Sequence, residues 1–94
     1  MSYVLTHFFP NGTEDQYKAT VAAVHPKDGL PAGQTFHAAG PADGGWLVVA
    51  LWDSKESSDR FVAETLVPAL SKTQGALQGP PQEHAAPAAF LQQA

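Results

Sequence analysis

The chain has 94 residues, five Lys or Arg against nine Asp or Glu, a formal net charge of −4 and no cysteine. This length predicts one domain spanning residues 1–94, and the absence of cysteine excludes disulfides, thiolate metal sites and a thiol nucleophile. Because binding to nucleic acid or to an anionic membrane requires clustered positive charge, the acidic composition predicts neither partner.

The first part of the chain predicts a strand followed by an amphipathic helix. Residues 3–9 are rich in aromatic and β-branched side chains and stop at the turn sequence Pro-Asn-Gly. Thr13 and Gln16 have the spacing of a capping box, which predicts that a helix begins there. Tyr17 and Val24 lie seven residues apart on one face of this helix, so that face covers a core.

The middle of the chain predicts a β-hairpin. Residues 34–39 predict a short second strand, and residues 40–45, which include Gly and Pro, reverse the chain. The third strand then runs over residues 45–52. A strand with one wet face alternates apolar and polar residues, whereas this third strand is apolar on both sides. Both of its faces must therefore be buried.

The last part of the chain predicts a second helix and a fourth strand. Ser54 is the expected N-cap of the helix, and its apolar seam begins at Phe61. Pro68 removes one backbone hydrogen bond and is expected to kink this helix or to end its regular part. Residues 82–91 predict a weaker strand, in which Pro87 is tolerated only at a sheet edge or a bulge.

The element order βαββαβ predicts a ferredoxin-like α+β fold. Right-handed crossovers place both helices on one face of a four-stranded antiparallel sheet with strand order 4-1-3-2. The other face would expose the apolar third strand, which soluble monomers rarely do, so we predict a homodimer that packs sheet against sheet. The first residues have neither the basic region nor the apolar core of a signal peptide, so we expect a soluble cytoplasmic protein.

This element order, together with Trp-Asp-Ser at 52–54 and Asp-Arg-Phe-Val at 59–62, resembles the dimeric α/β-barrel superfamily. The resemblance is to its small single-domain branch, which is similar to antibiotic-biosynthesis monooxygenases, and it spans nearly the whole chain. It implies a ferredoxin-like dimer. It also implies one of the activities found in different members of the superfamily, among them cofactor-free oxygenation, polyketide cyclisation and haem degradation.

Comparison with the patterns of these relatives narrows the implied activities. Haem-degrading relatives carry a histidine on the second helix, whereas residues 54–74 contain none, which argues against haem chemistry. The other activities that the resemblance implies need no cofactor, so we expect none. Quinone-forming oxygenases carry an Asn four residues before a strand-end Trp; Trp52 fits that pattern, but Val48 occupies the Asn position. Polyketide cyclases of related fold use a first-strand histidine, which His7 resembles in placement.

His7 and His37 are the predicted catalytic residues. His7 shares a strand face with apolar side chains, a setting in which an imidazole can be tuned for proton transfer. His37 lies two strands away in the expected order, roughly 10 Å across the sheet. The sequence leaves open whether both histidines share one face, and the alternative for each is an ordinary hydrogen-bonded histidine in the sheet.

The remaining histidines have other predicted roles. His25 follows the first helix, where a cation would cap the negative end of the helix dipole. His84 belongs to the edge strand and faces solvent or the dimer partner. No H-x-x-H or H-E-x-x-H spacing occurs, so no metal site is expected.

Four aromatic residues are predicted to line an apolar substrate-binding cavity, with ordinary core packing as the alternative: Trp52, Tyr17, Phe61 and Trp46.

Two hypotheses for the function remain, with haem binding as a third possibility that Soret absorbance after addition of haemin would test. The first is a cofactor-free monooxygenase or cyclase acting on a small aromatic or polyketide-like molecule bound between sheet and helices. The second is a non-catalytic domain that binds a small ligand or another protein. A closed core with no void beside His7 would exclude the first.

Overall fold

The structure is a computed structural model that describes residues 1–27 and 29–93. The elements in chain order are β1 (Tyr3–Pro10), α1 (Glu14–Val24), β2 (Gln34–Ala42), β3 (Gly45–Trp52), α2 (Lys55–Phe61), a π-helical turn (Val62–Leu66), α3 (Val67–Lys72) and β4 (Gln82–Pro87). The strands form one antiparallel sheet in the order β2-β3-β1-β4. The predicted ferredoxin-like α+β fold is confirmed, and within the described residues no helix is long and apolar enough to cross a membrane.

Side-chain caps start both helical regions at the predicted residues. The Thr13 hydroxyl accepts from the Gln16 backbone N–H at 3.2 Å, and the Gln16 side chain accepts from the Thr13 N–H at 3.0 Å. The Ser54 hydroxyl likewise accepts from the Ser57 N–H at 3.1 Å. Each cap satisfies a backbone donor that the first helical turn leaves unpaired, so these local sequences determine where the helices begin.

The hairpin closes more tightly than predicted. Ala42 pairs with Gly45, and the two residues between them make the turn, with Gly44 at a φ of +83°. β2 therefore runs three residues beyond its predicted end and includes Pro41. A proline is tolerated here because β2 is an edge strand. It pairs with β3 on one side only, so no strand on its other side requires the missing N–H as a hydrogen-bond donor.

The interruption predicted at Pro68 takes the form of a π turn. The Val67 N–H donates to the Val62 carbonyl five residues earlier, so the helix widens just before the proline. Pro68 then lies in the first turn of α3, where its missing N–H is not required, and the helix continues to Lys72.

The fourth strand is shorter than predicted, because it ends at Pro87 and not at residue 91. Its partner β1 begins at Tyr3, and the last bond between the two segments is donated by the Ala88 N–H to the Ser2 carbonyl at 2.9 Å. The register between β1 and β4 ends with Tyr3 opposite Pro87. Pro87 thus lies at the end of an edge strand, as expected from its lack of a donor.

The core between the sheet and the helices has two clusters. One is built on Leu5, Ala50 and Trp52, and the other on Phe9, Trp46 and Leu77.

The opposite face of the sheet is open in this chain. By the register of the four strands, its positions carry no Lys, Arg, Asp or Glu, and Phe36 and Leu47 are 47% and 37% exposed. The outward residues are Val4, Thr6, Phe8, Phe36, Ala38, Gly40, Leu47, Val49, Leu51, Gln82, His84 and Ala86.

Candidate functional site

A cavity of about 50 Å³ lies between the sheet and the helices. Residues of both core clusters line it. The lining is mainly aliphatic and aromatic, with a few polar side chains: Leu5, His7, Phe9, Tyr17, Thr20, Val21, Val24, His25, Gln34, His37, Val48, Ala50, Trp52, Phe61, Val62, Leu66 and Leu77.

Both predicted catalytic histidines lie on the helix-covered face. The register pairs His7 with Val48 and His37 with Ala50, and these β3 residues project to the same side because they are two positions apart. Strand spacing and residue rise put the two histidine Cα atoms roughly 12 Å apart. Both side chains line the same cavity.

His7 is held by a carboxylate that the sequence analysis did not identify. Its Nε2 lies 2.7 Å from Oε1 of Glu83, which is its register partner on β4. His7 is buried, whereas the Glu83 side chain is half exposed. When the ionised carboxylate accepts the Nε2–H, the lone pair of the neutral ring is on Nδ1. This fixes the tautomer and the orientation of the ring.

His37 is paired with a neutral phenol. Its Nε2 lies 2.5 Å from the Tyr17 hydroxyl on α1. Burial raises the pKa of Tyr17; burial, reinforced by the nearby His25, lowers the pKa of His37. Both groups are therefore neutral at pH 7, and a phenol O–H that donates to Nε2 leaves the imidazole proton on Nδ1.

His25 belongs to the same cavity, contrary to the cationic capping role predicted for it. It is the C-cap residue of α1, and its backbone N–H donates to the Val21 carbonyl. Its ring, however, packs edge-on against His37 with centroids 4.7 Å apart, and burial lowers its pKa. A desolvated imidazole is a poor cation, so the prediction was wrong for the side chain. Its spacing of eight residues from Tyr17 was the available signal.

The four aromatic candidates divide into two groups. Tyr17, Trp52 and Phe61 line the cavity, and the rings of Trp52 and Phe61 lie 5.1 Å apart. Trp46 is not part of the lining; it packs against Tyr17 at 5.2 Å in the other core cluster. His84 is exposed on the open face opposite Thr6, on the other side of the sheet from the cavity.

A second depression, of about 170 Å³, adjoins the cavity and shares Val24 and Phe61 with it. Polar side chains of the second helical region, among them Ser57 and Arg60, form part of its wall. Val24 and Phe61 therefore separate a small inner space from a larger outer one.

Within residues 1–27 and 29–93, no group of three or more His, Cys, Asp or Glu side chains is arranged to hold a metal ion.

No protein-family model matches the sequence, and no curated protein matches it. Solved structures match the fold. A protein of Chloroflexus aurantiacus J-10-fl assigned as an antibiotic biosynthesis monooxygenase has a TM-score of 0.59 and 18% identity, over 92% of this chain and 91% of that one. A variant of SnoaB, a cofactor-independent oxygenase from Streptomyces nogalater, has a TM-score of 0.61 and 13% identity, over 96% and 94%. Rv0793 from Mycobacterium tuberculosis has a TM-score of 0.58 and 19% identity, over 99% and 97%.

The chain has the fold of antibiotic-biosynthesis-monooxygenase-like proteins. The resemblance predicted from the sequence is thereby confirmed at the level of the fold, over nearly the full length of each chain. At identities below 20% the match carries no site residue from one protein to the other.

Proposed function

We propose that the protein is a cofactor-free monooxygenase or cyclase that removes a proton from a small aromatic or polyketide-like molecule. The observation that supports this most is that two differently paired histidines, His7 and His37, line one cavity. Proton removal is the step that cofactor-free oxygenation and cyclisation share.

His7 fits the role of the base. Its Nδ1 carries the lone pair because Glu83 holds Nε2–H, and the carboxylate stabilises the imidazolium that forms when a proton is accepted. His37 fits a different role, since its Nδ1–H can donate to an oxygen on which negative charge develops. The substrate carbon would lie between the two rings.

The carbanion formed in this way has two outcomes. In cyclisation it attacks a second carbonyl of the same molecule, and a C–C bond forms. In oxygenation a CH₂ group becomes C=O: one atom of O₂ enters the carbonyl, the other leaves as water with the two protons, and the substrate supplies all the electrons. Neither outcome requires a resident cofactor.

The volume of the cavity limits what fits. A cavity of about 150 Å³ holds a benzene molecule, whereas this one has about 50 Å³. A substrate ring therefore requires that Phe61 and Val24 move aside, which joins the inner cavity to the outer depression. Phe61 borders the π turn, a helix irregularity that is frequent at functional sites.

We further propose that the open sheet face packs against a second copy of the chain. Its outward positions are apolar or uncharged-polar across all four strands, and Leu47 and Phe36 are substantially exposed. A symmetric dimer buries this surface in both copies at once.

The small cavity also supports a second candidate function. If Phe61 and Val24 do not move, the space accepts only a few water-sized groups, which suits a non-catalytic ligand-binding or protein-interaction domain.

The proposed activity is tested with 2-tetralone, a small aromatic ketone with an acidic methylene group. Deuterium exchange at that carbon is followed by NMR in D₂O, and oxygen uptake is followed with an electrode. We expect the wild type to accelerate exchange, and His7→Asn to lose on the order of 10²-fold of this rate, the usual contribution of a general base. Glu83→Gln should lose less, because the amide still orients the ring.

His84→Asn is the control, since it removes a histidine from the opposite face of the sheet. If 2-tetralone binds but the protein accelerates neither deuterium exchange nor oxygen uptake, the result favours the non-catalytic ligand-binding domain. An equal loss of exchange in His84→Asn and His7→Asn would remove His7 from the role of base.

A further inference from the structure

Within residues 1–27 and 29–93, four buried side-chain atoms have no hydrogen-bond partner, and one of them, Nε1 of Trp46, belongs to a residue outside the cavity lining. The other three are Oε1 of Gln34, Nδ1 of His37 and Nε1 of Trp52, and all three of these residues line the cavity. Gln34 is 9% exposed and Trp52 is fully buried. Buried polar groups are nearly always paired in folded proteins, because an unpaired group loses its hydration and gains nothing. Three such groups around one cavity indicate a ligand that pairs them.

The sheet register brings these residues together at one end of the cavity. Gln34 and Trp52 are register partners on β2 and β3, and His37 lies directly opposite Ala50, two positions before Trp52. Directly opposed residues have Cβ atoms about 5 Å apart. Ala50 is the small side chain between them, and it leaves the space that a larger residue would fill.

The three atoms differ in hydrogen-bonding character. The indole Nε1–H of Trp52 only donates. Nδ1 of His37 also carries a proton when the Tyr17 hydroxyl donates to Nε2, whereas the amide oxygen Oε1 of Gln34 accepts. The site therefore requires one oxygen that accepts two hydrogen bonds and, within the same small group, one hydroxyl that donates.

The enol form of a 1,3-dicarbonyl group has this combination, since it carries a carbonyl oxygen beside a hydroxyl. A simple ketone lacks the donor, and a hydrocarbon ring lacks both. Such a head group has five non-hydrogen atoms, one fewer than benzene, so it too requires Phe61 and Val24 to move aside from the cavity of about 50 Å³. The remainder of the molecule would extend past Phe61 to the outer depression.

We propose that Gln34, His37 and Trp52 form a subsite for an enolised 1,3-dicarbonyl group. Trp52 and His37 donate to the carbonyl oxygen, and Gln34 accepts from the enol hydroxyl. This rests on the proposed function and specifies its substrate class: a β-dicarbonyl compound in preference to a simple phenol. Gln34 is a specificity-determining residue in this arrangement.

The test uses pentane-2,4-dione as the probe and pentan-2-one as its matched control ligand, which lacks the second oxygen. The chain has two tryptophans, so its indole N–H signals in an NMR spectrum are two in number. Trp46→Phe assigns them and retains the cavity residues. We expect the dione to shift the Trp52 indole signal, to leave the Trp46 signal in place, and to bind about fivefold to tenfold more tightly than pentan-2-one, as one or two neutral hydrogen bonds provide.

Gln34→Leu removes the acceptor at nearly constant volume and should reduce the preference for the dione to about twofold or less. Gln34→Met, whose unbranched side chain follows that of glutamine, serves as the second variant if the leucine variant does not fold. A variant that keeps the preference for the dione would overturn the proposal. So would a wild type that binds both ligands equally, or crystals soaked in the dione that hold only ordered waters at the three atoms.

These outcomes are separable from the proposed activity. 2-Tetralone has a single carbonyl, so its proton exchange depends on His7 and not on the dicarbonyl preference. Exchange of 2-tetralone without preference for the dione would remove the subsite and leave the activity standing. If the protein prefers the dione but does not accelerate deuterium exchange of 2-tetralone, the subsite stands and the protein binds its ligand without catalysis.

Discussion

The two faces of the sheet are built from the same strands and have similar apolar character, yet the chain uses them differently. The covered face carries His7, His37 and both tryptophans, and its packing against the helices is incomplete at the cavity. The open face carries His84 and no charged side chain. An apolar face that encloses polar groups is suited to chemistry, whereas an apolar face without them is suited to association.

Alternation along the strands produces this division. Glu83 and His84 are neighbours in the chain, but Glu83 contacts His7 on the covered side while His84 lies opposite Thr6 on the open side. A shift of one residue in β4 would exchange them and leave His7 without its carboxylate. The register of an edge strand therefore determines whether the pair forms.

The largest expected difference between the faces is in stability. Trp52→Ala removes a fully buried ring from the covered face and should lower the free energy of unfolding by about 3–5 kcal/mol. Leu47→Ala on the open face should cost the monomer less than about 1 kcal/mol, because Leu47 is 37% exposed. Urea denaturation at a concentration that keeps the chain monomeric measures both. Equal losses would mean that the two faces are equally buried in the monomer.

The next difference is in association. Val49 lies at the centre of the open face, between Thr6 and Ala38 on the neighbouring strands. Val49→Lys would place an unpaired ammonium in the proposed interface, which should weaken the dimer by several kcal/mol. Light scattering should report a dimer for the wild type and a monomer for the variant, with unchanged circular dichroism. A wild type that is monomeric at micromolar concentration contradicts the proposed interface.

The smallest expected difference is in pH dependence. Burial lowers the pKa of His25 and His37 below the ordinary value of 6.5, so the unfolded chain binds more protons than the folded one as the pH falls past 6.5. The free energy of unfolding should therefore decrease from pH 7 towards pH 5 and level off once the folded groups also protonate. The pKa of Tyr17 is raised above 10.0, so Tyr17 affects stability only in the alkaline range. The free energy of unfolding should fall there, because the unfolded chain loses this proton at a lower pH than the folded one.

Urea midpoints between pH 7 and pH 5 measure this loss. His37→Asn should show a shallower decrease than the wild type, whereas His84→Asn on the open face should keep the wild-type slope. A flat wild-type profile would show that His25 and His37 are not desolvated.

Local signals explain which parts of the fold the sequence predicted well. The caps at Thr13 and Ser54 act on backbone groups within three residues, so no distant contact is required to place the helix starts. β4 was predicted too long because its end depends on where β1 begins at Tyr3, which is a long-range property. His7 and His37 were identifiable from residue type and strand position, but their common cavity depends on register.

The site residues that the sequence did not indicate were missed for the same physical reason. Glu83 and Gln34 are unremarkable in the sequence, and each becomes part of the site only through its partner on another strand. His25 had a weak signal in its helical spacing from Tyr17, but its pairing with His37 depends on how α1 crosses the sheet.

The sequence by itself determined the order of the elements, the helix starts and the apolar character of both sheet faces, because these follow from interactions between residues close together in the chain. Only the tertiary structure decided which histidine meets Glu83, which meets Tyr17, and which polar atoms remain unpaired around the cavity. Those pairings depend on strand register and helix packing, where a displacement of one residue moves a side chain to the other face of the sheet.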